Sequence, residues 1–178
     1  MSTRCNIKIV TDDQTVYLYR HMDGYPAETG ADVYEVAKSF DGNSYNYLPA
    51  WMAAVNRFMK YCYEGDDLRK ARPMYELTDA AHGDIEHFYV IKVGNYTCPH
   101  NDPNCKECKP KCFAMVYHAG GYGPELEDQC NTNENGMTPA EFAEVVNADR
   151  REINTRIAWL QKQNPGLYSD YTDYPMVS

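Results

Sequence analysis

Two short polar runs hold the residue types that could do chemistry: Arg20-His21-Met22-Asp23-Gly24-Tyr25-Pro26 and His82-Gly83-Asp84-Ile85-Glu86. Each carries a His-x-Asp step, and each reads as a junction between a strand and a loop, where binding groups are commonly mounted. Gathered into one pocket, Arg20, His21, Asp23, Tyr25, His82, Asp84 and Glu86 would supply imidazoles, carboxylates, a guanidinium and a phenol. Three chemistries use that set. Histidines and carboxylates can hold a divalent ion that activates water against a phosphoester. A His–Asp pair can act as a general base with its orienting carboxylate. Alternatively, Arg20 and the imidazoles grip a phosphate while Tyr25 stacks on a base, with no reaction. The structural alternative is that Asp23-Gly24 and His82-Gly83-Asp84 are only turns.

A second constellation is the run TCPHNDPNCKECKPKC, which spaces Cys98, Cys105, Cys108 and Cys112 as C-x6-C-x2-C-x3-C. Thiols this dense suit a tetrahedral zinc ion, and the C-x2-C step reaches two ligand positions from one tight turn. His100 is an alternative fourth ligand; an iron–sulfur cluster or a reduced, exposed loop are the other readings. With four protein ligands no position stays open for a substrate, so the expected zinc is a structural staple over residues 98–112. Cys5, Cys62 and Cys130 read as buried or incidental thiols.

The elements that must position these groups follow from periodicity. Alternation of Ile7 and Ile9 with Asn6, Lys8 and Val10, followed by TVYLYR (15–20), predicts a hairpin, and EHFYVIKV (86–93) with CFAMVYH (112–118) predicts another, its long tip being the cysteine run. Val33, Val36, Ala37 and Phe40 make one helical face, and a second helix is expected after Pro49 with Trp51, Val55, Phe58 and Cys62 as its stripe. Gly65 to Pro73 reads as a charged connection. Gly120 to Gly123 reads as a turn, followed by an acidic, Asn-rich loop to Gly136. Thr138-Pro139-Ala140-Glu141 is a capping box that opens a long helix to about Gln163, stopped by Asn164-Pro165-Gly166. The expected fold is α+β: an antiparallel sheet of two hairpins with helices packed on one face. Residues 1–163 form a single domain, and 164–178 a Tyr-rich tail, frayed or laid along a partner.

Composition narrows the function classes. The chain has 178 residues, 43% hydrophobic, with 17 lysines and arginines against 26 aspartates and glutamates, a net charge of −9. That is enough apolar material for a core and the wrong sign for indiscriminate phosphate-backbone binding. No apolar run is long enough to span a membrane, and no signal-peptide core opens the chain, so a cytoplasmic location is expected. A processed Ser2 as nucleophile lacks identifiable supporting residues.

Ser2-Thr3-Arg4 before Asn6-Ile7, the Tyr19–Pro26 turn and the His82–Glu86 segment together resemble an uncharacterised family of small proteins from bacteriophages and bacterial mobile elements. The resemblance covers about the first half of the chain. It implies life inside a bacterial cell and marks Arg20, His21, Asp23, Tyr25, His82, Asp84 and Glu86 as the shared polar set. The reading it favours is a zinc-stapled protein that binds a small anionic, nucleotide-like ligand or a host protein without turnover. The rivals are a metal-dependent hydrolase using His21, Asp23, His82 and Asp84 on a phosphoester or nucleotide, and a virion-associated assembly protein.

Overall fold

The computed structural model describes residues 3–11, 14–41, 58, 61–62, 72–95, 112–132 and 136–178. Its centre is a five-stranded sheet built from β1 (Cys5–Val10), β2 (Thr15–Arg20), β5 (Glu76–Thr78), β6 (His87–Asn95) and β7 (Cys112–Gly120), in the order β5-β2-β1-β6-β7. A separate two-residue pair joins β3 (Tyr61–Cys62) to β4 (Arg72–Pro73). The helices are α1 (Ala31–Phe40), α2 (Glu125–Thr132) and α3 (Pro139–Gln163), and a single π-type turn, Pro26–Gly30, leads into α1.

The architecture is α+β, but the sheet is mixed rather than antiparallel. Strands β1 and β2, and β6 and β7, pair antiparallel, while β1 and β6 run parallel with Ile7 opposite Tyr89. Phe88, Tyr89, Val90 and Ile91 are all buried, as expected of an interior strand covered on both faces.

Helices accordingly occupy both faces, not one. Cys5, Ile7, Ile9, Tyr89, Ile91, Val93, Ala114 and Val116 point one way, to a core shared with α1 and with Phe142 and Val146 of α3. Tyr19, Phe88, Val90 and Ala119 point the other way and meet Leu126 and Cys130 of α2. Helix α2 replaces the loop expected there; its apolar content is only Leu126 and Cys130, too sparse to show a periodic stripe.

Helix α3 begins as its sequence dictates. The Thr138 hydroxyl accepts from the Glu141 N–H at 3.3 Å, and the Glu141 carboxylate accepts from the Thr138 N–H at 2.8 Å, a cap that contributes about 1 kcal/mol. Cys5 and Cys130 are buried thiols; burial pushes Cys5 up to about 12 and Cys130 up to about 11, so both stay protonated. Cys112 is also buried, in the α1 core at the start of β7, while Cys98, Cys105 and Cys108 lie outside the described residues. So do Ser2 and most of the helix expected after Pro49. Among the described residues, no helix is long and apolar enough to cross a membrane.

Candidate functional site

Strand β2 ends in a run whose members alternate between the faces, since successive side chains on a strand point in opposite directions. Tyr19 lies on the α2 face; its neighbour Arg20 sits opposite Cys5 and lies on the α1 face. The candidate residues are therefore sorted into two groups.

On the α2 face, the Tyr19 ring is the organiser. The His82 imidazole stacks on it, with centroids 3.9 Å apart and planes 13° from parallel. His21 meets the same ring edge-on at 4.6 Å. The Tyr19 hydroxyl donates to Asp84 at 3.3 Å, and Arg4 donates to the other Asp84 oxygen at 2.8 Å. The His82 loop is held here by backbone: Arg4 O accepts from the N–H groups of Glu86 and His87, and the Asn6 side chain accepts from His82 N–H at 2.7 Å while donating to Leu18 O. His21 of the first His-x-Asp segment and both His82 and Asp84 of the second converge on one tyrosine. This group is open to water: His21, paired with Glu76 at 3.1 Å, has a 57% exposed side chain.

On the α1 face the environment is dry. Arg20 is 2% exposed and Asp32, from the first turn of α1, is 3% exposed. Tyr75 joins them: it accepts from Arg20 Nη1 at 2.9 Å and donates to Asp32 at 2.7 Å, and burial, with the Asp32 charge, drives its phenol far above the ordinary range. The carboxylates stand further from the guanidinium, Asp32 at 3.9 Å from Nη1 and Asp23 at 3.8 Å from Nη2. Arg20 Nε, also buried, has no hydrogen-bond partner among the described residues. Such orphans are rare, because a buried donor without an acceptor costs about 1–3 kcal/mol.

The turn that covers Arg20 is held tightly. Asp23 has φ +57°, a left-handed conformation that aspartate tolerates better than most residues. A side chain at Gly24 would collide with the Arg4 carbonyl carbon at 2.8 Å and with Cys5 at 2.9 Å, so only glycine lets the turn lie against β1. Thr29 and Tyr89 tie the turn down by donating to the carbonyls of Asp23 and Gly24. Tyr25 faces the other way, its hydroxyl 3.2 Å from that of Tyr174 in the tail.

Next to this turn lies a pair that sequence reasoning passed over. His87 Nδ1 and His118 Nε2 are 3.0 Å apart, with His118 stacked on Tyr89 at 4.8 Å. Burial, with His87 alongside, pushes His118 down to about 4, and burial lowers His87 despite the neighbouring Asp149. Both imidazoles are therefore neutral near pH 7.

Of the residues expected in one pocket, His21, His82 and Asp84 meet at Tyr19; Arg20 and Asp23 meet on the opposite face. Tyr25 engages the tail, and Glu86 contributes backbone hydrogen bonds. The four groups that the hydrolase reading needs are thus divided by the sheet. Among the described residues no three His, Cys, Asp or Glu side chains are gathered so as to hold a metal. Sequence reasoning missed Asp32, Tyr75, His87 and His118 as partners. For the histidines a signal existed, since His87 shares the parity of Tyr89 and Ile91 and must face the same core. Comparison with protein-family models, curated proteins and solved structures finds no match to this chain.

Proposed function

We propose that the protein binds a small anionic ligand of the phosphate or nucleotide type beneath the Asp23–Pro26 turn, without turning it over, and that Arg20 is the receptor. The observation that carries this reading is the under-satisfied guanidinium. Among the described residues, a planar cation with five N–H donors lies 2% exposed with one short hydrogen bond, its Nε unpartnered and both carboxylates at 3.8 Å or more. Phosphate or carboxylate oxygens are the acceptors that fit such a fork. Asp23, with its side chain half exposed, stands 3.8 Å from Nη2. The His82–Tyr19–His21 cluster, with His82 stacked and His21 edge-on, lies at the same end of the sheet on its other face, and belongs to the docking of a host protein.

The test is thermal melting with inorganic phosphate, pyrophosphate and nucleoside monophosphates, followed by recovery of the ligand. A ligand that binds only the native state at 100 times its Kd adds about 2.7 kcal/mol of stability. The expected result is a raised Tm with ligand recovered intact, and an Arg20→Lys protein, which keeps the charge but loses the fork, that needs at least about tenfold more ligand for the same shift. An unmoved Tm across the series, or unchanged affinity in Arg20→Lys, overturns the reading; consumed ligand makes the protein a hydrolase instead.

The cysteine run is proposed as a zinc staple, with Cys98, Cys105, Cys108 and Cys112 as ligands. Elemental analysis of the purified protein should find about one zinc per chain, and none ends that proposal. The phage-protein resemblance supports a bacterial cytoplasm as the setting for this binder.

A further inference from the structure

The tail, 164–178, turns back at Asn164-Pro165-Gly166 and runs along α3, and the contacts that hold it have an unusual form. Asn154 donates to Tyr174 O at 3.0 Å and accepts from Tyr174 N–H at 2.8 Å. Asn147 does the same to Val177, donating to its carbonyl at 3.0 Å and accepting from its N–H at 2.8 Å. Between them Arg150 donates to Pro175 O, the one main-chain hydrogen-bonding group a proline has. Each asparagine therefore pairs with one residue's peptide group as a neighbouring strand would. Gln161 continues the row by donating to the carbonyls of Tyr168 and Tyr171.

The spacing is a match between two periodicities. Asn147 and Asn154 are seven residues apart on one helical face, about 10.5 Å along the axis. Tyr174 and Val177 are three residues apart in extended chain, about 10 Å. Pro175 favours that extension, since the residue before a proline is driven out of the helical region. Selectivity comes from two side chains. Tyr174 meets Tyr25 and lies against the Arg150 guanidinium at 5.8 Å, and Val177 packs on the α1 core. Most other tail side chains are exposed. Asn147 and Arg150, by contrast, are 7% and 9% exposed with the tail in place, and Arg150 is also anchored by donating Nε–H to Ala27 O at 2.8 Å.

We propose that this face of α3 is a peptide-binding groove for extended Tyr-Pro-x-Val segments of another protein, with the chain's own tail as its exchangeable occupant. The groove reads main chain with Asn147, Arg150 and Asn154, and reads sequence only at the tyrosine and valine. Exchange is governed by effective concentration: a tethered tail outcompetes a free segment until that segment is abundant or itself tethered.

The experiment keeps the full chain. A site-specific protease sequence replaces the exposed Pro165-Gly166-Leu167 hinge, the purified protein is cut, and a fluorescent peptide of residues 168–178 is added while anisotropy and near-UV circular dichroism are followed. The expected result is saturable uptake of the labelled peptide by a still-folded body, with the cut tail released. Alanine at the tyrosine or valine of the peptide should weaken uptake at least about tenfold, the scale of a lost buried contact; alanine at the methionine, exposed in the structure, should not. N-methylation of the peptide at the Tyr174 and Val177 nitrogens removes the amide donors without altering the protein, and should weaken uptake about tenfold or more. A tail that never exchanges, a body that unfolds when the tail leaves, or a methylated peptide that binds equally well each overturns the proposal. A dimer of the uncut chain that is lost in Asn147→Ala/Asn154→Ala also overturns it, by making the tail of a second copy the occupant.

Discussion

The two faces of the sheet use the end of β2 in opposite ways. Tyr19 and His21 share the α2 face with His82 and Asp84 in a group held by ring contacts and open to water. Arg20, between them in sequence, is sealed on the α1 face with Tyr75 and Asp32. In the wet group Arg4 pairs with Asp84 and His21 with Glu76, all in contact with solvent. In the dry group the Arg20 guanidinium donates to Tyr75, and among the described residues its buried Nε has no hydrogen-bond partner. Solvated charges are cheap to carry and give little when paired, whereas a dehydrated cation is costly unless its donors find acceptors.

The sharpest way to break this contrast is to remove one cation from each face. Arg20→Ala strips the buried Asp32 of its counter-charge and should cost about 3–5 kcal/mol, the range for breaking a buried pair, moderated by the Tyr75 hydrogen bond to Asp32. His21→Ala should cost no more than about 0.5 kcal/mol, as expected of an exposed residue. Urea unfolding of the two variants measures both. Equal losses would mean that the faces do not differ in the way their burial implies.

The histidine pair extends the dry face towards β7 and gives the contrast a pH signature. His118 has a folded value of about 4 against an ordinary value of 6.5, so between those limits the unfolded chain binds the extra proton. Stability attributed to the neutral imidazole is therefore complete above pH 6.5 and is lost as pH falls towards 4, by about 3 kcal/mol for this shift. His87, also lowered, acts in the same direction, and Asp149 opposes it. Denaturation midpoints from pH 7 to 4.5 should fall steeply in the native protein and more gently in His118→Leu. Parallel profiles would place the acid sensitivity elsewhere.

How much of this could be read from the chain depends on whether the signal was local. The strand Thr15–Arg20, helix Ala31–Phe40 and the capping box of Pro139–Gln163 were legible because alternation, a 3.6-residue stripe and cap chemistry are written in consecutive residues. The parallel pairing of β1 with β6 was not, since it joins strands some 80 residues apart and depends on which neighbour each finds. The meeting of His21 and His82 at Tyr19 depends on which strands neighbour one another, so the junctions alone left it open. The sorting of Arg20 away from them followed from period-two parity, which the single-pocket expectation overlooked. Asp32 and Tyr75 were hidden because their role exists only in the tertiary fold; Asp32 in isolation is an ordinary first-turn helix residue.

A smaller effect sharpens the contrast from the wet side. Tyr19 is 2% exposed, and its ring carries both imidazole contacts. Tyr19→Leu keeps an apolar filler but removes the stack and the hydroxyl bond to Asp84. The expected cost is about 1–2 kcal/mol from ring contacts worth roughly 0.5–1.5 kcal/mol and one modest hydrogen bond. Nuclear magnetic resonance should show the His82 ring protons losing their upfield ring-current shift. A variant as stable as the parent, with those shifts unchanged, would remove Tyr19 as organiser of the group.

The smallest effect tests whether the wet group contributes stability or only geometry. Arg4 and Asp84 form an ion pair at 2.8 Å, with side chains 42% and 44% exposed. Exposed pairs of this kind contribute about 0–1 kcal/mol, because water screens the attraction and two side chains must be ordered. Asp84→Asn keeps the acceptor for Tyr19 but removes the charge, so the change in unfolding free energy should stay below about 1 kcal/mol and shrink further in 1 M salt. A loss several times larger, insensitive to salt, would mean that the Arg4–Asp84 contact is dehydrated in solution. The two faces would then differ in their residues but not in the physics that holds them.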